Sequence, residues 1–325
     1  MILDKRQKLL FEMLRIRFIE EEIAREYKNQ EIRCPVHLSI GQEAIPVGIS
    51  SILSLEDKIV SAHRSHAHYL AKGGCLKSLL AEIYGKETGC SKGKGGSMHL
   101  FDLNAGQVAA VPIVGSSVSI GTGVGWYLKL SKTETIVVIY FGDGATEEGS
   151  LAESLNFAKL HELPILFVCE NNLYSVYSSI EKRQPEKRNI LTIVEGHGIK
   201  TLNGDGNNVL EVMSLANSAK EFILTGSGPI FLNLSTYRWL EHCGPHNDDY
   251  LKYRRQGELK NWMEHCPIDD IKKKLFLPPM EVDKLVAKMM DQIRLEVDLA
   301  FAYAKQSEFP RKTELFTDVY SGFKI

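Results

Sequence analysis

The chain is expected to fold as an α/β protein: a doubly wound, mostly parallel sheet with helical N- and C-terminal extensions. Two observations predict this. The first is a strand–helix–strand unit, TIVVIYFGDGATEEGSLAESLNFAKLHELPILFVCENNLY, over residues 135–174. Its apolar, β-branched runs at 135–141 and 165–169 flank a helical stretch near 147–160. The second is that strand and helix patterns alternate through the middle of the chain, with no repeat, low-complexity linker or break in composition. A single domain over residues 1–325 follows.

The elements can be justified in order. Within residues 1–30, Leu9, Leu10, Met13, Ile16, Ile19 and Ile23 fall near one helical face. A strand is expected at 58–61. The small-residue run GSSVSIGTGVG at 115–125 reads as a helix that packs closely on a neighbour, although Gly121, Gly123 and Gly125 imitate a dinucleotide fingerprint. Residues 181–188 are polar and charged, as in an exposed loop. A fourth strand is expected at 230–235. Residues 235–253, rich in polar and aromatic types, read as an active-site loop. Residues 265–325 form a helical extension, with Pro278-Pro279 opening its long helix.

The central unit carries the chemistry. It leaves Asp143 at the end of one strand and Asn172 at the end of the next. In a parallel sheet those ends lie side by side, at the edge where ligands bind. A carboxylate and an amide oxygen suit a hard cation such as Mg2+, which prefers to keep phosphate oxygens in its shell. Gly142 and Gly144 let a diphosphate approach the backbone, and the helix that follows offers free N–H groups. Gly-Asp-Gly alone is a weak signal; its pairing with Glu170-Asn171-Asn172 is a strong one. The chain contains its own control. Gly204-Asp205-Gly206-Asn207-Asn208 repeats the letters without a strong apolar strand before it, and reads as a turn plus helix N-cap.

His63-Arg64 follows the apolar pair Ile59-Val60, where an arginine gives bidentate donors to a diphosphate. His66 and His68, two apart on an expected strand face, lack a carboxylate or cysteine nearby to complete a metal set. Lys92-Gly-Lys94-Gly-Gly lacks the order of a phosphate loop and follows no clear strand.

The pairing of GDG with ENN resembles the thiamine diphosphate motif. The segments HLSIGQEAIPVG (37–48), HRSHAHYLAKG (63–73), GCSKGKGGSMHL (89–100), PIVGSSVSIGTG (112–123), TYRWLEHC (236–243) and ELFTDVY (314–320) are similar to the alpha subunit of the heteromeric 2-oxo acid dehydrogenases, the thiamine-dependent components of pyruvate, branched-chain and acetoin systems. HRSHAH and SKGKGGSMH are closest in wording to the acetoin branch. The resemblance implies a thiamine diphosphate-binding fold, specifically its diphosphate-binding half. It implies cofactor contacts from His63, Arg64, Pro112, Val114, Asp143, Gly144, Ala145, Asn172, Tyr174 and His242, with the metal on Asp143, Asn172 and the carbonyl of Tyr174. Pro112 and Val114 would hold the aminopyrimidine by backbone groups. His242 would contact the diphosphate and donate a proton during acyl transfer. His37 would lie near the substrate carboxylate and His66 near the cofactor. Relatives often have tyrosine at the place of His63, histidine at Leu240 and serine at Cys243, so Cys243 cannot be a regulatory phosphoserine.

The implied function is an α2β2 thiamine enzyme that cleaves a 2-oxo acid or acetoin and passes the acyl unit to a lipoyl acceptor on a partner acyltransferase. The beta subunit would supply the glutamate facing the aminopyrimidine. The alternative is a carboligase that transfers the acyl unit to a carbonyl acceptor such as a sugar. Composition agrees with a soluble enzyme: 44% hydrophobic, 25% charged and a net charge of −2 give no electrostatic reason for nucleic-acid or anionic-membrane binding. Cysteines at 34, 75, 90, 169, 243 and 266 show no zinc-like spacing, and reduced thiols in the cytoplasm are expected. No run reaches transmembrane length, and the N-terminal residues lack a secretory h-region.

Overall fold

The computed structural model describes residues 3–320, so the outermost residues of both expected extensions lie outside the described residues. Its centre is a six-stranded sheet in the order β2-β1-β3-β4-β8-β7. The strands are β1 (Lys58–Ser61), β2 (Gln107–Ala110), β3 (Val137–Gly142), β4 (Ile165–Asn171), β7 (Lys200–Asp205) and β8 (Ile230–Ser235). All of its pairs are parallel. The hairpin β5 (Tyr174–Ser175) and β6 (Ser178–Ser179) stands apart.

The apolar runs form central strands because both of their faces are covered. Alternate residues go to opposite layers. Val137, Ile139 and Phe141 join one core with Leu151, Leu155 and Ala158 of α6 (Gly149–Leu160) and Val118 of α5 (Ser116–Ser131). Val138 and Tyr140 join the other with Ile45 and Ile49 of α2 (Ala44–Ser50) and Val212, Ala216 and Ala219 of α9 (Val209–Phe222). Burying each large apolar side chain stabilises the fold by about 1.5–3 kcal/mol. The glycines of α5 serve the packing expected of them: a Cβ on Gly121 would sit 2.5 Å from Ile139, and one on Gly125 2.5 Å from Ile165. Gly123 faces open space instead.

A third core is helical. α1 (Lys5–Tyr27) starts at Asp4, whose side chain accepts from the Gln7 N–H in a capping box. Its six expected apolar residues are all buried. They meet α3 (His66–Ala71), α4 (Leu76–Ile83), α11 (Pro267–Lys273) and α12 (Pro279–Gln306). Pro279 opens α12 as expected. The remaining short helices are α7 (Ile180–Arg183), α8 (Ile190–Gly196) and α10 (Glu258–Glu264).

Three expectations need correction. β2 and β7 were not anticipated: β7 has no apolar run, and that of β2, Val108 to Ala110, is short and mostly small residues. Both are edge strands, where fewer neighbours demand fewer apolar side chains. Consequently the second Gly-Asp-Gly does end a strand, although Asn208 caps α9 as expected by accepting from the Glu211 N–H. His66 and His68 lie on α3, not on a strand face. Residues 143–147 form a short 3-10 turn, which delays the start of α6 to Gly149.

Candidate functional site at the carboxyl edge of the sheet

The chain runs outward from β1 to β2 and then crosses back to β3 on the other side of β1. That reversal makes the β1/β3 junction the place where a doubly wound sheet leaves a crevice at its strand ends. A cavity lies there. Its walls come from segments following five strands: Pro112 and Val114 after β2, His63 and Arg64 after β1, residues 143–145 after β3, Asn172 and Tyr174 after β4, and Arg238 and His242 after β8. Residues from 37 to 242 in sequence thus meet because adjacent parallel strands all end at one edge.

One wall is basic. Arg64 is buried and donates to the carbonyls of Leu38 (2.6 Å) and His242 (3.0 Å). Burial, then repulsion from Arg238, lowers its pKa to about 9. Around it stand His37, His63 and His242, with ring centroids 4.8–5.3 Å apart. Burial, reinforced by the Arg64 charge, lowers His63 and His242 to about 3 and His37 to about 2, so all three are neutral at ordinary pH. Their ligand atoms lie within 4.8 Å of one another, close enough to suggest a cation site. The facing guanidinium of Arg64 opposes a cation, however, and an anion would relieve all four groups at once.

The opposite wall is acidic. Asp143 is 2% exposed, and burial raises its carboxyl above the usual range while Arg183 pulls it back. Its Oδ2 pairs with Arg183, but its buried Oδ1 has no hydrogen-bond partner among the described residues. A buried carboxylate oxygen without a donor is costly, and a metal ion would satisfy it. Asn172 is also buried. Its Oδ1 accepts from the Tyr174 N–H at 3.2 Å and its Nδ2 lies 3.4 Å from Gln42 Oε1. Between them Leu173 has φ 70°, an uncommon backbone conformation for a non-glycine residue, which turns the chain back toward the cavity. A Cβ on Gly142 would meet nothing, leaving the backbone open to a ligand. Gly144 has a second duty: a Cβ there would lie 2.7 Å from Ser175 Oγ. The donor set of this wall fits a hard cation, and the basic wall fits a diphosphate.

The structure brings together every expected site residue except His66. That side chain is fully buried and lies off the cavity wall, with Nδ1 2.7 Å from Glu20 and Nε2 2.7 Å from Ser97. Glu20 also accepts from the Ser39 N–H. His66 therefore ties α1 to the loops carrying His37 and Met98, and its place among the catalytic residues is corrected to one of positioning. His68 stacks on Tyr140 and bonds Glu170. Lys92-Gly-Lys94-Gly-Gly forms a turn next to Glu82. The turn directs the N–H groups of Ser91, Gly93, Gly95 and Gly96 at the buried carboxylate of Glu82, so the anion is the protein's own.

Among the cavity residues that had no assigned role are Gln42, Glu170 and Arg238. Each sits inside a segment already singled out, directly at or beyond a strand end or helix start. Position after a strand was the available signal. Arg238 is 2% exposed and donates to the carbonyls of Leu240 and Val176 and to Tyr253 Oη, fastening the expected active-site loop over the cavity.

The fold and this paired acidic and basic edge fit a protein that binds a diphosphate cofactor. Comparison with known proteins makes the class specific. The chain belongs to the dehydrogenase E1 component family, which matches residues 11–313. It is 35% identical over 310 residues to the pyruvate dehydrogenase E1 component subunit alpha, mitochondrial, of Dictyostelium discoideum, covering 95% of this chain and 80% of that one. It is 38% identical over 301 residues to subunit alpha-1 of Oryza sativa (92% and 76% covered) and 34% over 309 residues to the alpha subunit of Rickettsia bellii (95% and 94%). The family is thiamine diphosphate-dependent, and this chain is an alpha subunit of that oxidoreductase class. Among the described residues, no helix is long and apolar enough to cross a membrane.

Proposed function

We propose that this chain is the alpha subunit of a pyruvate dehydrogenase E1 component, assembled as α2β2, which passes its acyl unit to a lipoyl group on a partner acyltransferase. The observation that carries the reading is the cavity itself, with orphaned Asp143 Oδ1 on one wall and Arg64 with three neutral imidazoles on the other. Relatives named for pyruvate along nearly the whole chain support the substrate. Its cysteines are unpaired, which fits a reducing compartment.

Each residue then has a task. Asp143, Asn172 and the Tyr174 carbonyl would hold Mg2+. Arg64, His63 and the N–H groups of Gly144 and Ala145 would hold the diphosphate. Pro112 and Val114, at the far side of the cavity, would grip the aminopyrimidine. Bound there, thiamine diphosphate supplies the ring that stabilises the carbanion of carbon–carbon cleavage. An anion beside Arg64 would return His242 toward its ordinary pKa, letting it carry a proton to the acyl unit. His37 faces the same space and would meet the substrate carboxylate.

The site is incomplete at the aminopyrimidine end. Besides Asp143, the carboxylate lining the cavity is Glu170, near the end of β4, three strands from β2 and its Pro112 segment, or about 14 Å at ordinary strand spacing. A glutamate from the beta subunit would fill that place. Proton–deuterium exchange at the cofactor's reactive carbon tests this. The isolated chain with saturating cofactor and Mg2+ should give no acceleration, and added beta subunit should restore it. Accelerated exchange by the chain alone would end the two-subunit reading. Turnover of the pair on pyruvate, branched-chain 2-oxo acids, acetoin and sugar acceptors then decides the substrate, with pyruvate expected to lead.

A further inference from the structure

We propose that Arg183 sets the metal specificity of this site by holding Asp143 to one-oxygen ligation. The inference rests on Asp143 as the metal ligand. Arg183 is not part of the cavity wall; it stands behind the carboxylate. Each nitrogen of its guanidinium has a partner: Nη2 pairs with Asp143 Oδ2, Nη1 with Glu147, and Nε donates to the Ser178 carbonyl at 3.1 Å. Gln184 bonds the same Glu147 at 2.7 Å, and Arg188 donates to the Thr146 carbonyl. The β5–β6 hairpin leads directly into α7, whose last residue is Arg183, and it lies against the acidic turn, where a side chain at Gly144 would run into Ser175. Presenting both Asp143 oxygens to an ion would disrupt this pair with Arg183. Oδ2 is spent, and Oδ1 is the one left without a partner.

The consequence is chemical. Ca2+ takes six to eight oxygens at about 2.3–2.6 Å in flexible geometry and readily uses both oxygens of a carboxylate. Mg2+ demands near-ideal octahedral geometry at about 2.0–2.1 Å, which the narrow bite of a two-oxygen carboxylate fits poorly. A carboxylate locked by a forked cation from behind suits the smaller ion. Groups behind a ligand typically change metal affinity by about 10–100-fold.

The test uses the full chain assembled with its beta subunit. Thiamine diphosphate affinity is measured by titration calorimetry in saturating Mg2+ and, separately, in saturating Ca2+. The ratio of the two affinities is the readout, because partial misfolding of a variant cancels from it. Arg183→Met frees Oδ2 and should lower the Mg2+ preference by roughly tenfold. Arg183→Lys keeps the charge without the fork, and should restore part of the affinity but little of the preference. An unchanged ratio in both variants, whatever their absolute affinity, overturns the proposal. Asp143→Ala separates the two levels: wild-type cofactor binding in that variant removes the metal assignment itself, independent of Arg183.

Discussion

The two Gly-Asp-Gly turns of this chain have the same letters and different fates. Both end parallel strands at the same edge of one sheet. Gly142-Asp143-Gly144 follows β3, which has a neighbour on each side, and Asp143 is buried with one oxygen unpartnered. Gly204-Asp205-Gly206 closes β7, the edge strand, where Asp205 is exposed and accepts from the Asn207 N–H at 2.9 Å. Asn208 caps α9, so that loop has used its polar groups on itself. The comparison teaches that the tripeptide makes a turn, whereas its neighbours make it a site. At β3, segments from β1 and β4 add Arg64 and Asn172. At β7, only β8 is adjacent.

The largest expected difference between the two turns is in cofactor binding. Asp143→Ala removes the charged ligand and should abolish Mg2+-dependent thiamine diphosphate binding, measured by calorimetry on the assembled protein. Asp205→Ala should bind as wild type. Equal loss in both would break the comparison. A smaller effect is expected from the basic wall. Arg64→Ala should weaken cofactor affinity by about 1.5–3 kcal/mol, the usual worth of a hydrogen bond to a charged group. Unchanged affinity at subsaturating cofactor would count against it. The smallest effect should run the other way, in stability. A Cβ on Gly206 would lie 2.6 Å from the Ser235 carbonyl oxygen, which is backbone and cannot move aside. Gly206→Ala should cost about 1–3 kcal/mol in denaturant unfolding. Gly144→Ala meets only the Ser175 side chain and should cost less, while lowering cofactor affinity more. The reverse order in either measurement would show that the second turn is not purely structural.

Much of the site was legible because it is carried by local runs. Asp143 and Asn172 each follow an apolar strand directly, and His63-Arg64 follows β1 by a single residue, Ala62. A continuous apolar run buried on both faces is a strong signal, and β3 and β4 have it. β7 does not: its residues are all exposed or half-buried, so its strand came to light only beside β8. His66 failed for a related reason. Its residue type and position suit catalysis, but its partners Glu20 and Ser97 lie 46 and 31 residues away and draw the ring off the cavity.

By itself the sequence determined the class of sheet, the turns that bear ligands and the family to which the chain belongs, since each rests on residue types at fixed short spacing. Only the tertiary structure decided which groups face one another. It placed His37, His63 and His242 around Arg64, turned Glu82 into the anion of its own glycine loop, and set Arg183 behind Asp143. The physical reason is that charge, burial and unsatisfied hydrogen bonds belong to neighbourhoods, and neighbourhoods in a parallel sheet follow strand order, which short-range spacing does not encode.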